Sequence, residues 1–274
     1  MIDTSFYKIN TGTGIPCNNI FPIKVFYYAL IFFIVVVHLS YIGYIRPEAQ
    51  LVIEVAREAG QTAPRSLVVI LKDYEQEICL ILMLWGIFLI LGKCITILQN
   101  RYLFNVDLLE GATDDTYDLA SVLKSIEELP DKIKATPLVH TLMASLRRYL
   151  ITKNVQDTSD AIGSGVEALA LKLEAENAMI RYLIWAIPSI GFIGTVRGIG
   201  QALSKADEAL AGDIAGMTDS LGIAFNSTFV ALLISIGLMF LFHQLQRLQD
   251  GLVVDTQDYC ESFLLNRISS VGRK

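Results

Sequence analysis

Residues 188–200 read PSIGFIGTVRGIG, an apolar run in which small residues recur at helical spacing. On an α-helix, Gly191, Thr195 and Gly198 follow one another at steps of four and three residues, so they lie on one face, and Gly194 extends it. Lipid provides no hydrophobic drive for helices to associate, and small residues let two helices pack closely. The run therefore predicts a membrane helix that is buried in protein and carries one hydroxyl group on its packing face.

The composition of the whole chain is that of a membrane protein. Of 274 residues, 53% are apolar and only 18% are charged, which is too apolar for soluble domains. Four runs are long enough to cross about 30 Å of hydrocarbon as helices: 23–45, 78–98, 182–203 and 220–242. The first two are predicted to face lipid, and the last two, which are richer in small and polar residues, to be buried in protein. The predicted fold class is an all-α membrane protein with four transmembrane helices.

The third and fourth runs have matching patterns. Pro188 lacks an amide hydrogen, so it is predicted to free a backbone carbonyl one turn earlier and to kink its helix. Small residues recur on the fourth run at the same spacing as on the third: Ala224, Thr228, Ala231 and Ser235. The two runs are predicted to pack as a hairpin.

Two threonines are predicted to meet within this hairpin. Thr195 and Thr228 each lie about 8 residues, or roughly 12 Å, from the loop that joins the two runs. Asn226 and Ser227 lie beside Thr228. Hydroxyl groups at one depth can coordinate a permeating ion or can hold two helices together, and spacing alone leaves both interpretations open.

The chain is predicted to have five parts along its length. These are an N-terminal segment (1–22), two peripheral transmembrane helices with an intervening loop at 46–77 (23–98), a cytoplasmic helical region broken at Pro130 and Pro137 (99–181), the hairpin of the third and fourth transmembrane helices (182–242) and a cytoplasmic C-terminal helix (243–274). The loop at 204–219 has one lysine against four acidic residues. We therefore place this loop outside and both termini in the cytoplasm.

Several classes of function are excluded by composition and spacing. A net charge of -6 without any basic patch argues against nucleic-acid binding. The four cysteines are scattered, so they predict neither a disulfide framework nor a metal site. No nucleophile and base stand at catalytic spacing, so the chain is predicted not to be an enzyme and to need no cofactor.

Charged residues are scarce in the four runs as drawn. None contains Asp or Glu, so the acid that would bind a proton in the membrane is predicted to come from a partner. Arg197 is the one strongly charged residue well inside a late run. It is predicted to reach the headgroups or to pair with Asp207, Glu208 or a neighbouring subunit, and the alternative is an electrostatic gate at the outer mouth of a pore.

The hairpin resembles that of the MotA/TolQ/ExbB proton channel family. Residues 188–199 are similar to the run P-F-V-G-L-F-G-T-V-W-G-I of ExbB and TolQ proteins, and 224–232 to their run A-L-L-A-T-A-I-G-L. The matching residues are Pro188, Gly191, Gly194, Thr195, Val196, Gly198, Ile199, Ala224, Thr228 and Leu232. The order of a cytoplasmic region, a hairpin and a cytoplasmic helix also fits this family.

This resemblance implies a function and an assembly. The chain would be the channel-forming subunit of a homopentamer in the bacterial inner membrane. The pentamer would surround two copies of a small single-span partner, like MotB, ExbD, TolR or ZorB, that carries an essential membrane Asp. Ion flow would drive rotation, with Thr195 and Thr228 at the positions of the family's pore-lining threonines and with Asn226 and Ser227 beside them.

The sequence also departs from the family pattern. Arg197 replaces a Trp and Gly237 replaces a proline of ExbB, whereas four spans are closer to MotA and to ZorA. Protons and sodium both suit hydroxyl groups, and flagellar-type rotation, energising of outer-membrane transport and phage defence are all compatible with the hairpin. A non-conducting scaffold or signalling protein that kept the hairpin is the alternative function.

Overall fold

The architecture is that of a computed structural model, which describes residues 23–59, 64, 66–105, 116–266 and 268. The predicted N-terminal segment 1–22 lies outside the described residues. Every regular element within the described ranges is a helix, which confirms the all-α prediction.

Eleven α-helices follow one another in the described part of the chain. They are α1 (Ile23–Ser40), α2 (Arg46–Glu58), α3 (Leu67–Leu71), α4 (Tyr74–Asn100), α5 (Thr116–Glu127), α6 (Asp131–Lys134), α7 (Pro137–Thr152), α8 (Val155–Glu176), α9 (Ala178–Ser204), α10 (Ala206–Leu210) and α11 (Ala215–Tyr259). A π-helical turn at Tyr41–Ile45 joins α1 to α2, a 3-10 turn at Arg101–Asn105 follows α4, and a second π-helical stretch at Cys260–Leu265 follows α11.

Four of the described helical segments are long and apolar enough to cross a membrane, as the sequence predicts. They are Val25–Ala56, Tyr74–Asn105, Val155–Ser204 and Ala215–Leu265. All four begin or end beyond the predicted apolar runs, because a helix continues through polar residues as long as its backbone hydrogen bonds are made.

The predicted loop at 46–77 is largely helical. It contains α2, α3 and the first turn of α4. The backbone N–H of Arg46 donates to the carbonyl of Tyr41, five residues earlier, so the first span passes through a widened turn into α2 instead of ending. Apolar content marks where a chain can cross lipid, but it does not mark where a helix ends.

One compact unit comprises the described residues of 97–172 and 250–274. Its core contains Leu138, Leu142 and Leu146, which are 1%, 0% and 0% exposed and follow one another at four-residue steps on one face of α7. Pro130 precedes α6 and Pro137 begins α7, as expected for a residue that cannot complete an internal helical turn.

The second unit comprises the described residues of 22–96 and 173–249. In it α4 packs against both helices of the hairpin, since a Cβ on Gly86 would lie 3.3 Å from Leu238 and 3.6 Å from Leu183. Within an apolar 18-residue stretch of each span, 28% of the residues are buried in the second and in the fourth span, against 11% in the first. Part of the surface of the second span thus packs on the hairpin, and the contact of the rest with lipid stays a prediction.

A buried amide pair marks the junction of α8 and α9. Asn177 lies between the two helices, and its side-chain nitrogen donates to the Gln249 side chain at 2.6 Å. Both side chains are almost fully buried. The chain thus enters the third span through two helices with a one-residue interruption at Asn177.

Candidate ion-pathway site

The small-residue face of α9 packs directly on α11. A Cβ on Gly191 would lie 2.5 Å from the Cβ of Ala231, and one on Gly198 would lie 2.6 Å from the backbone nitrogen of Ala224. Real Cβ atoms essentially never come this close to such neighbours, so only glycine fits at either position. The structure thus confirms the close helix contact that the spacing predicts.

Thr195 and Thr228 meet in this contact, as predicted. Their hydroxyl groups hydrogen-bond to each other. The Thr195 hydroxyl also lies 3.1 Å from the Ala224 carbonyl oxygen, and the Thr228 hydroxyl lies 3.2 Å from the Gly191 carbonyl oxygen. Each threonine is half-buried, so the pair lies at the edge of the helix contact with oxygen atoms of both helices around it.

Pro188 frees a backbone carbonyl one turn earlier in its helix, and the predicted kink stays a prediction. The amide of residue 188 would normally donate to the carbonyl of Ile184, and proline cannot do so. The hydroxyl of Ser235 on α11 donates to this carbonyl instead, at 3.0 Å. Helix α9 continues through Pro188, and the freed acceptor has a partner on the neighbouring helix.

Asn226 and Ser227 do not join the threonine pair. Ser227 is 1% exposed, donates to the Ile223 carbonyl at 2.8 Å and accepts from the side-chain nitrogen of Gln76 at 3.4 Å. It therefore faces α4. A Cβ on Gly194 would lie 2.5 Å from the Cβ of Ser227, so this glycine makes room for the serine.

Asn226 lines a cavity of about 820 Å³ between the 64–72 segment and the first half of α11. Thr228 lines the same cavity, together with Lys72 and Asp219. Most of the other lining side chains are apolar. One of the two threonine hydroxyls thus belongs to a residue that borders a space large enough for several water molecules.

Arg197 forms an ion pair, but not with the predicted partners. Its Nε and Nη2 atoms donate to the two carboxylate oxygens of Glu75, both at 2.7 Å, and Nη2 lies 3.7 Å from Asp73. The prediction that Arg197 pairs with Asp207 or Glu208 is corrected. Such bidentate contacts are among the strongest that arginine makes, and this one connects α9 with α4.

A second ion pair fixes the start of α4 to the first span. Glu77 accepts from Arg46 at 2.5 Å and lies 2.6 Å from Nδ1 of His38. Arg46 also lies over the ring of Tyr74, 4.3 Å from its centre. The acidic residues in the first turn of α4 are therefore paired with Arg46 of the first span and with Arg197 of α9. Acidic groups also interact favourably with a helix N-terminus.

The helix of the second span begins before the predicted apolar run and includes two acidic residues that the run as drawn does not contain. Glu75 and Glu77 lie within the helix of the second span and are 8% and 6% exposed. The apolar run begins at Ile78, one turn after the helix does. The signal in the sequence was the acidic stretch DYEQE at 73–77, a pattern typical of the first turn of a helix.

Fold and site together define a multi-pass helical membrane protein whose last two spans pack through glycines around a pair of hydroxyl groups. Residues 134–258 match the model of the MotA/TolQ/ExbB proton channel family, which confirms the resemblance predicted from the hairpin. Comparisons with curated proteins and with solved structures find no match. The matched residues include both threonines and Arg197, whereas the acidic residues of α4 lie outside them.

Proposed function

We propose that this chain is the channel-forming subunit of an ion-driven complex and that ions pass along the hairpin at Thr195 and Thr228. The observation that carries this proposal is the meeting of the two hydroxyl groups at the edge of the glycine contact. Two hydroxyl and two carbonyl oxygens lie together there, and such oxygens replace the water around an ion or hydrogen-bond to a carboxylic acid.

The surface around the threonine pair supports a larger assembly. Phe192, Val196, Phe225 and Phe229 are each more than half exposed in the single chain. We propose that copies of this chain cover this surface in a homopentamer, and that two copies of a single-span partner with a membrane Asp occupy the centre. The family of the hairpin is the support for this stoichiometry.

The partner's carboxyl group would complete the pathway. A carboxylic acid in lipid needs hydrogen-bond partners, since an isolated charge there is costly. The Thr195 and Thr228 hydroxyls can donate to the ionised acid and accept from the protonated one, because each carries both a proton and lone pairs. They would thereby guide and orient the acid that binds the ion, and its changes of charge would drive rotation.

We place the complex in a bacterial inner membrane with both termini of this chain in the cytoplasm. The acidic loop at 204–219 and its single lysine support this orientation. The start of α4 and Arg197 then lie toward the outer side. The helices of 116–176 and the tail after the fourth span would lie in the cytoplasm.

The test is to replace the two hydroxyl groups. We expect Thr195→Val and Thr228→Val to lower ion flux by at least about tenfold, the effect of roughly 1.4 kcal/mol on the barrier. The chain would be purified with the single-span subunit that accompanies it and reconstituted in vesicles, and flux would be followed with a pH-sensitive dye and with a sodium-sensitive dye.

The matched control is Thr96→Val. Thr96 lies on α4, donates to the Gly92 carbonyl at 3.0 Å and is half-buried, but it lies apart from the hairpin contact. We expect normal flux from this variant. Flux that persists in both hairpin variants at the wild-type level would rule out a role of the hydroxyls in the pathway.

One observation favours the second candidate, a non-conducting scaffold. The two threonines already satisfy each other and nearby carbonyl groups within the hairpin, so they hold the helices together without any ion. In that case the two Val variants lower thermal stability, and the wild-type chain with its partner shows no ion flux under an imposed gradient.

A further inference from the structure

Three acidic residues lie at the start of α4, and two of them have a close ion pair with an arginine among the described residues. Glu75 is bound by Arg197 through both carboxylate oxygens, and Glu77 is bound by Arg46. Asp73 is the third acid, and its contact with Arg197 is longer, at 3.7 Å. Arg197 is thus bound closely by Glu75, and within the described residues no ion pair of Asp73 is shorter than this 3.7 Å contact.

Asp73 also has an unsatisfied oxygen. Its side chain is 12% exposed, and its Oδ2 atom is buried without a hydrogen-bond partner among the described residues. Leaving a buried acceptor without a donor is unfavourable, and more so when the group is charged. A carboxylate in this position is therefore unfavourable as long as it stays ionised.

Gln76 provides an independent observation. It is fully buried, and its side-chain oxygen likewise has no donor within the described part of the chain, although its nitrogen donates to Ser227. The N–H of Glu77 donates to the Asp73 carbonyl at 3.3 Å, so the helical turn already includes Asp73. Residues three apart on a helix are neighbours. Asp73 and Gln76, three positions apart in this turn, thus each carry a buried acceptor that has no donor among the described residues.

The charges around Asp73 come from each neighbouring element. Lys72 and Glu75 lie beside it in the chain, Arg197 comes from α9, and Tyr41 comes from the π-helical turn after α1. Burial raises the pKa of Asp73 above its ordinary value and Glu75 raises it further, while Lys72 and Arg197 oppose the shift. Burial is the largest of these effects.

We propose that Asp73 is a proton-binding residue of this chain, and that its protonated carboxyl group donates a hydrogen bond to the side-chain oxygen of Gln76. One proton then satisfies both buried acceptors and leaves Arg197 paired with Glu75. The proton comes from water and returns to water, and no other bond forms or breaks. This site goes beyond the proposed ion flow, since it depends only on contacts within the second unit.

The site lies against the hairpin. At the position of a Cβ on Gly194, the Cγ of Glu75 would be 3.1 Å away and the Ser227 hydroxyl 2.6 Å away, and Gln76 donates to that hydroxyl. In the proposed state, Gln76 connects Asp73 to α11, because it accepts from Asp73 and donates to Ser227.

Infrared difference spectra of the full chain in lipid vesicles test the proposal. Spectra are recorded between about pH 8 and about pH 3, since an ordinary aspartic acid titrates near pH 3.9. We expect a carboxylic acid C=O band that persists above the ordinary range and disappears at higher pH. Asp73→Asn should remove this band, and Gln76→Leu should shift its frequency because the hydrogen bond is lost.

The matched control is Asp207→Asn, which removes an exposed acid of α10 and should leave the band unchanged. Asp73→Glu keeps a carboxyl group and should retain a band at a shifted frequency, which decides the matter if the Asn variant does not fold. A band that survives both Asp73 variants unchanged would overturn the proposal, and so would a carboxylate band that moves on addition of sodium at constant pH. The spectra require no ion flux, so a failure of the proposed function leaves them unaffected.

Discussion

Glycines on α9 show how single residues set the distance between the two hairpin helices. At Gly198 an added methyl group would meet the backbone nitrogen of Ala224 at 2.6 Å and the Ser220 carbonyl oxygen at 2.8 Å. Backbone atoms in a packed helix cannot rotate away as a side chain can. By contrast, a methyl group on Gly200, on the same helix, would meet nothing within 4 Å.

We therefore expect Gly198→Ala to destabilise the chain by about 1 to 3 kcal/mol through overpacking. Gly200→Ala should be neutral or slightly stabilising, because alanine favours the helix more than glycine does. Thermal unfolding of the purified chain in detergent measures the difference. Equal midpoints for the two variants would contradict the contact between α9 and α11.

Helix α9 depends on its neighbour at Pro188. The carbonyl of Ile184 lacks its normal partner within the helix and accepts from Ser235 of α11 instead. The stability of one helix thus includes a bond from the other. Hydrogen bonds of this kind in membranes contribute about 0.6 kcal/mol on average and at most about 1.7.

We expect Ser235→Ala to lower the free energy of unfolding of the wild-type chain by about 0.6 kcal/mol. In a chain that already carries Pro188→Ala, the same change should have almost no effect. The new amide at position 188 would donate to the Ile184 carbonyl and make the serine dispensable. A double-mutant cycle of free energies of unfolding in detergent measures the coupling. If Ser235→Ala cost the same in both backgrounds, the hydroxyl would not replace the missing amide.

Within the second unit, two ion pairs tie the first two spans to the hairpin. Glu77 joins α4 to the first span, and Glu75 joins α4 to α9. Both glutamates are buried, so removing one partner would leave a charge that water cannot reach well. The channel hairpin is therefore supported by a peripheral helix through charges as well as through apolar contacts.

Charge reversal tests this support. Glu75→Arg and Arg197→Glu should each destabilise the chain, by about 2 to 3 kcal/mol given that the arginine is one-third exposed, and the two together should recover most of the loss. The exposed pair Glu127 and Arg147, 2.7 Å apart, is the matched control, and its reversals should cost at most about 1 kcal/mol. Thermal unfolding of the full chain measures all six variants. Additive losses in the Glu75 and Arg197 double variant would show that the two side chains do not act as a pair.

The sequence alone predicted the four spans, the small-residue contact, the meeting of Thr195 and Thr228, and the family. These features follow from periodicity within one helix or from the length of one apolar run, which neighbouring residues determine. The freed carbonyl before Pro188 was predictable for the same reason. Its partner Ser235 was already among the small residues of the fourth span.

The partner of Arg197, the burial of the second span and the separate environments of Ser227 and Asn226 required the tertiary structure. Arg197 and Glu75 are 122 positions apart, and their contact depends on where α4 begins and on which face it turns to α9. An apolar run determines neither where its helix begins nor which face packs on α9, because its side chains pack on lipid and on protein equally well. The pairing of the acidic residues at 73–77 with Arg197 depends on the packing of the start of α4 against the hairpin.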